Sequence, residues 1–564
     1  MRKYIRIFTA SVVLTCTIWL SGCQDNFLSI TPQDRITENQ VWTDANLVKL
    51  YVNDLYKGIP HGLNRHMWNK LTDEAYGNGD WLEGEVGADD IGNYGEDFNY
   101  LDYYQEAFQY IRRYNVFMSN IDSAPLSDAE KASLTAEVKF LRAYTYANLL
   151  WRYGGVPIVE EVYELDGADN EFSRASYQET FNHIITLLDE AMPELAEKYE
   201  TSDSNYGRAT KHAAMALKSR VYLYDASALN NPNNDQAKWQ QASDAAKALI
   251  DEQAYSLEPD YGQVFQSVNN ELIFARNFSS TNGHNASFLN LPRPYGGYGG
   301  WGGSNCPSQN LVDAYEMANG EMIFNDDGTI NQSSGYDPQN PYVDRDPRFY
   351  ASILHHGTTF REVELDYSEE IEIAGGDTTF TGVRGNANYK VTGDNSVTGY
   401  NMKKFIEQNM SVPISRSQNY TQPWPLFRLA EIYLNYAEAQ YHLGNPDEAR
   451  DYVDMVRNRA GMPDLDDTLT GQELLERIRH ERRIELVFEG HRFWDIRRWE
   501  IAPEVETHDI EGIDIYRKKS NGEIVFERKR VLDRPEQWDT KYYKLPIPRD
   551  EINKSSVEQT EGYN

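Results

Sequence analysis

PLFRLAEIYLNYAEAQYHLGNPDEARDYVDMVRNRAG, Pro425 to Gly461, carries the clearest fold signal in the chain. Leu426, Ala430, Tyr433, Ala437 and Tyr441 recur every three or four residues, the period of one helix face. Gly444 ends that run, and Asn445-Pro446-Asp447-Glu448 restarts a helix with a cap, a proline at its first position and a glutamate at its third. Ala449, Tyr452, Val453, Val456 and Ala460 form the facing stripe. Small alanines therefore stand opposite large rings.

Two such helices in a unit of about 34 residues have the texture of tetratricopeptide-type packing. Outward from it, Val41–Tyr56, Ala136–Tyr153, Ala209–Leu229 and Trp239–Ile250 also read as helices. The second is apolar on nearly every face and is stopped by Gly154-Gly155 with Pro157 beyond, the exit of a buried helix. Between 252 and 423 the texture changes to Gly, Asn, Tyr and Ser with short alternating runs such as TTFREVEL. The expected fold class is mostly α: three or four helix pairs, scattered rather than tandem, form a scaffold for a loop-rich, partly β half. Residues 41–251 and 424–564 are the scaffold, with a binding loop near 65–100, and 252–423 is where recognition is expected, because loops on a rigid frame carry it.

The chain has 564 residues, with 88 Asp and Glu against 54 Lys and Arg, a formal charge of −34. Phosphate recognition needs a cationic footprint, so this balance excludes a nucleic-acid binder. Hydrophobic residues at 40% and aromatics at 13% supply a core and exclude disorder as the main state. Tyr is in surplus at 39, with 11 Trp, so some rings are expected at the surface as flat contact area.

Residues 1–22 read as a processing signal: Arg2, Lys3 and Arg6 precede an apolar stretch from Ile7 to Leu20. Leu20-Ser21-Gly22-Cys23 looks like the lipobox of bacterial lipoproteins, whose cysteine is acylated before cleavage, and residues 23–40 then form a lipidated tether; a plain secretory signal is the alternative. Loss of the three leader cations takes the charge from −34 to −37. Of Cys16, Cys23 and Cys306, one leaves and one is acylated, so the mature body keeps a single thiol and no internal disulfide.

Glu481, Glu485 and Glu489 fall four apart in RIRHERRIELVFEGHRFWDIRRW, read as part of one helix opened by a Thr470–Glu473 capping box. Two of them as glycosidase acid and nucleophile is one reading. Arg482, Arg483, Arg492, Arg497 and Arg498 stand within reach and lower a carboxyl pKa, whereas a general acid needs a raised one, so a structural ion-pair cluster is preferred. Gly297 to Gly302 matches GxGxxG but follows no strand and opens no helix. Its glycines instead let Tyr295, Tyr298 and Trp301 project as sugar-stacking rings, with a local core as the competing reading. Trp81, between Asn78, Asp80 and Glu83, is a second candidate platform flanked by hydroxyl-reading groups. No HExxH, CxxC, GxSxG or complete DxDxDG spacing is present, so neither metal nor cofactor is implied.

The segments CQDNFLSITPQDRITENQVW (23–42), RDPRFYASIL (345–354), RLAEIYLNYAEAQ (428–440), ERRIELVFEGHRFWDIRRW (481–499), KYYKLPIPRDEIN (541–553) and QTEGYN (559–564) together resemble the SusD/RagB family of outer-membrane lipoproteins. The resemblance implies a mostly α fold with tetratricopeptide-like pairs and a non-catalytic protein. It further implies glycan binding at the cell surface, as hinged lid on a SusC-like TonB-dependent transporter. By position, Trp81 and the Tyr295–Trp301 loop resemble the aromatic arc of starch-binding members, and the 481–498 block is structural in that family. Some relatives bind peptides, which stays open as the alternative. If Cys23 is the anchor, Cys23→Ala moves the protein from the membrane fraction to the soluble one on cell fractionation; retention in the membrane fraction refutes the anchor.

Overall fold

The computed structural model describes residues 38–563, apart from 64, 77–80, 82, 83, 85, 94–100, 164–171, 296–302, 392–395 and 410–418. Its frame is helical: α1 (Ala45–Leu55), α2 (Tyr104–Asn120), α3 (Asp128–Tyr153), α4 (Tyr177–Ala191), α5 (Lys211–Ala226), α6 (Gln236–Asp251), α7 (Leu429–His442), α8 (Pro446–Ala460), α9 (Gly471–Glu485) and α10 (Arg492–Arg498). Among the described residues no helix is long and apolar enough to cross a membrane.

α3 is the central rod. From Ala136 to Tyr153 every residue but Lys139 is buried, and Gly154, at φ 77°, ends it. It starts earlier than its apolar pattern suggests, because Ser127 and Glu130 make a reciprocal capping box that nucleates the polar first two turns. α3 packs on α4, α5 on α6 and α7 on α8, and α4 also meets α5 as α6 meets α7. The pairs are thus scattered in sequence, as expected, yet stacked in space, since a lone pair cannot bury both its faces. Asn435 of α7 donates to Ser219 of α5 at 3.1 Å, and Gln440 to Ser243 of α6 at 2.9 Å, which closes the chain gap from 251 to 429.

The quoted hairpin forms with one change: Leu426 lies in a strand, and the helix begins at Leu429. Ala430, Leu434 and Ala437 meet Ala449, Val453 and Val456 in one apolar cluster, joined by Leu474 and Ile478 of α9. Tyr433 and Tyr441 sit half-buried at its margin.

The longer strands are β1 (Leu272–Arg276), β2 (Glu369–Ala374), β3 (Asp377–Arg384), β4 (Trp424–Arg428), β5 (Ile510–Lys518) and β6 (Ile524–Leu532). β1 pairs antiparallel with β4, and a four-stranded sheet runs β6-β5-β2-β3, parallel only between β5 and β2. The loop-rich segment therefore shares these two sheets with the C-terminal scaffold.

The expected helix through residues 477–499 is broken. Glu485 ends α9, Phe488 and Gly490 take φ of 62° and 84°, and α10 starts at Arg492. Nor does Thr470 make a side-chain cap; Gly471 at φ 53° enters the helix instead. The break turns Glu489 toward Arg428 and Lys404. Glu481, Glu485 and Glu489 are indeed structural ions, but their partners come from elsewhere in the chain. Glu481 pairs with Arg348 and Arg457, and Glu485 with Arg348, Arg428 and Arg459. Arg428 also reaches Glu271 at 2.7 Å, and Arg457 reaches Glu316 at 2.9 Å. Lys404 donates to Glu489, the Val487 carbonyl and Tyr261, all within 2.8 Å, and its burial pulls its pKa down to about 8.

Burial pushes the Glu485 and Glu489 carboxyls up, but the guanidinium groups around them outweigh it and hold both below the ordinary value of 4.5. A pKa lower folded than unfolded gives stability that is complete above about 4.5 and lost as pH falls through the folded values. Buried histidines such as His61, His284 and His442, which burial holds at a pKa of about 3 to 4, are neutral in the fold and must gain a proton to match the unfolded chain, so their stability is lost from about pH 6.5 downward. Melting temperature is therefore expected to decline from about pH 6.5 and to drop more steeply below about 4.5. Arg428→Ala, which takes one cationic partner from each of three buried carboxylates, should cost about 3–5 kcal/mol in chemical denaturation at neutral pH.

Candidate functional site

The two sequence-predicted rings that are described lie in the core. Trp81 is 4% exposed, with Tyr542 edge-on at 5.3 Å, Phe493 tilted at 5.6 Å and the Arg497 guanidinium 5.4 Å over its ring. Tyr295 is fully buried, donates from its hydroxyl to the Phe360 carbonyl at 2.7 Å and meets the Phe360 ring edge-on at 5.5 Å. Neither presents a face to a sugar. The aromatic surplus is absorbed inward because each buried ring removes a large apolar area from water. Asn78, Asp80, Tyr298, Trp301 and Cys23 lie outside the described residues.

What the loop half does bring together is a set of shielded polar groups that have no hydrogen-bond partner among the described residues. They are Tyr420 Oη, Gln422 Oε1 and all three guanidinium nitrogens of Arg361; the His284 ring stands beside them with Nε2 toward the Gln422 backbone. Buried polar atoms are ordinarily satisfied by protein or ordered water, and each one left open costs about 1–3 kcal/mol, so a group of them is a candidate ligand contact.

Each is fixed by its backbone. His284 and Tyr420 exchange backbone hydrogen bonds at 3.0 and 3.1 Å, with their rings 6.2 Å apart. The Ala286 amide donates to His284 Nδ1 at 3.1 Å. Burial lowers the imidazole pKa to about 4, so the ring is neutral at pH 7 and its proton sits on Nε2. Gln422 donates from Nε2 to Glu407 at 2.6 Å, which leaves its Oε1 as an acceptor. Glu407 is itself held, accepting from the Asn409 amide at 2.7 Å, while its own amide donates to Ser287 at 3.0 Å.

Arg361 comes from the tip of a tight hairpin. The short strands Thr359–Phe360 and Val363–Glu364 pair across Arg361 and Glu362, at φ of 48° and 66°. A two-residue turn of that kind favours Asn-Gly, so Arg-Glu there is strained, and strain of this kind concentrates at functional sites. Burial lowers the Arg361 pKa, while Glu407, Tyr420 and Tyr295 oppose that shift. Its guanidinium lies 5.2 Å over the Phe360 ring. Donors from Arg361, an acceptor from Gln422 and the amphoteric Tyr420 hydroxyl together can read a ligand hydroxyl, which both donates and accepts. Sequence reasoning missed this set because a lone His, Tyr and Gln carry no spacing, and Arg-Glu is not a turn cue.

Two family models cover most of the chain: the SusD family over residues 270–563, and "Starch-binding associating with outer membrane" over residues 26–223. A crystal structure of a SusD-like protein from Bacteroides fragilis superposes with a TM-score of 0.75 at 31% identity, covering 94% of this chain and all of that one. SusD-like protein P25 of Formosa agariphila is 25% identical over 73% of this chain and 72% of its own length. Starch-binding protein SusD of Bacteroides thetaiotaomicron is 24% identical over 80% of this chain and 76% of its own. The chain belongs to the SusD family, and its mostly α fold is that of its structural relatives.

Trp81 in the core changes what its removal does. Trp81→Ala should lower stability by about 3–5 kcal/mol, read as a shift in the denaturation midpoint. A midpoint equal to that of the parent would mean the ring is exposed after all.

Proposed function

We propose that this protein captures an oligo- or polysaccharide at the outer membrane and hands it to a SusC-like TonB-dependent transporter, over which it sits as a lid. Acyl chains on Cys23 hold it at the cell surface, and no bond in the ligand is made or broken. The reading is supported by membership of the SusD family, by the starch-binding description of one family model and by the starch-binding relative.

The observation that carries it is the set of groups on Arg361, Tyr420 and Gln422 that are unpaired among the described residues. A sugar hydroxyl satisfies donor and acceptor at once, each bond adding about 1 kcal/mol. Tyr298 and Trp301, with Asn78 and Asp80, are proposed to add stacking faces and further hydroxyl contacts. The ligand is neutral in this reading, because a body near −37 repels sulfated or uronate chains at long range. Residues 23–40 are then the tether, 41–251 and 424–564 the frame, and 252–423 the ligand-binding half. A peptide ligand and a glycoside hydrolase are the competing classes. Against the second, the conspicuous carboxylates Glu481, Glu485 and Glu489 are committed to arginine and lysine.

Native gels cast with neutral polysaccharides test this. Tyr420→Phe should weaken retardation about five-fold and Arg361→Ala about ten-fold or more, with melting temperature preserved. Full retardation of both variants refutes the site. Release of reducing sugar, or retention of peptides in place of glycans, refutes the function.

A further inference from the structure

A second surface of similar chemistry lies on the helical frame. An open groove of about 610 Å³ runs between α2, the chain around residues 157–163 and the C-terminal helix Arg549–Lys554. None of its lining residues belongs to the loop-half cluster.

One part of the groove is aromatic. Tyr104 and Phe108 stack obliquely with centroids 4.7 Å apart, and Tyr163 meets Phe172 edge-to-face at 4.9 Å and 87°. The Phe172 contact orients Tyr163 while 39% of it stays exposed; among the described aromatic residues only Tyr163, Tyr350 and Phe380 are open to this degree. A flat ring held rigid at the surface loses little freedom when it stacks on a ligand.

The other part is polar and unspent. Gln105, Gln109 and Arg112 follow at i, i+4 and i+7 on α2, so they share one exposed stripe, and among the described residues their side chains make no hydrogen bond or ion pair. The two amides stand about 6 Å apart along the helix axis, a spacing suited to successive units of a polymer. Lys554 is paired with Glu551 at 3.1 Å, and the remaining charges, Arg112 and Glu161, have opposite signs, so the groove holds no one-sign field to select an ion. Aromatic faces beside neutral amides that both donate and accept match a sugar, with apolar C–H faces and hydroxyl edges.

We propose that this groove is a second contact site for a neutral oligosaccharide. The proposal rests on the glycan reading above but uses none of the residues that carry it. With two separate grips on one polymer, the second engagement is intramolecular, and retention rises without any tighter single site.

The test uses the full-length protein in detergent, run in native gels cast with starch, laminarin, xylan, mannan, galactan or levan. Tyr163→Ala and the double variant Gln105→Ala/Gln109→Ala are compared with the parent, each alone and combined with Arg361→Ala. The double variant removes exposed side chains that make no hydrogen bond among the described residues, so it guards against a purely structural effect. Each groove variant should cut retardation about two- to five-fold with melting temperature unchanged, and should remove the retardation that survives in Arg361→Ala. If groove variants run like their parents in both backgrounds, the groove assignment falls while the glycan function stands. If none of the six polysaccharides retards the protein, both fall.

Discussion

A buried lattice of ions ties the two halves of this molecule together. Arg428 leaves β4 and meets Glu271, Glu485 and Glu489; Arg348 leaves the loop-rich half and meets Glu481 and Glu485; Arg457 and Arg459 leave α8 and close the set on Glu316, Glu481, Glu271 and Glu485. Charges withdrawn from water cost several kcal/mol each, and only mutual pairing with good geometry offsets that cost. The lattice is therefore all or none. Its members come from segments more than two hundred residues apart, so it forms only when helix pairs, β1, β4 and the broken turn after α9 are all in register. Burial of such groups is weak support for raw stability but strong support for a single arrangement, because any misplaced segment leaves an ion unpaired in a dry interior.

That rigidity is what permits polar groups to stay open in the loop half. Tyr420 and Gln422 are pinned by backbone and side-chain bonds on one side and, among the described residues, left unsatisfied on the other, and Arg361 is carried on a turn whose φ values its residue type disfavours. Unsatisfied groups and backbone strain both oppose folding. They persist where the surroundings over-determine the conformation, and a ligand that completes the hydrogen bonds then binds to a site already arranged.

The helix pairs were legible because their information is local. Three- and four-residue periodicity, Gly444 and Pro446 at a turn, and Gly154 after α3 state helix, stop and restart within a few positions. The ionic role of Glu481, Glu485 and Glu489 was legible in kind and not in detail. Nearby arginines suggested pairing, while the actual partners Arg348, Arg428, Arg457, Arg459 and Lys404 follow from tertiary approach. The expected single helix over 477–499 failed at Phe488 and Gly490, where the need to aim Glu489 inward overrode local helix propensity. Trp81 and Tyr295 were misread for a related reason. Flanking glycines and carboxylates describe a ring's neighbours in sequence, but its exposure depends on what packs over it, here Phe493, Tyr542 and Phe360.

The sequence by itself determined the acidic charge, the helix pairs, the mostly α class and, through its closing motifs, the family. Those properties follow from composition and from interactions spanning one or two helical turns. Only the tertiary structure decided that the pairs stack side by side, which rings are covered, which arginine answers which glutamate, and which polar atoms are left without partners. Burial and pairing are properties of the whole packed chain: an atom's access to water and to a hydrogen-bond partner is set by residues hundreds of positions away, and no local pattern encodes them.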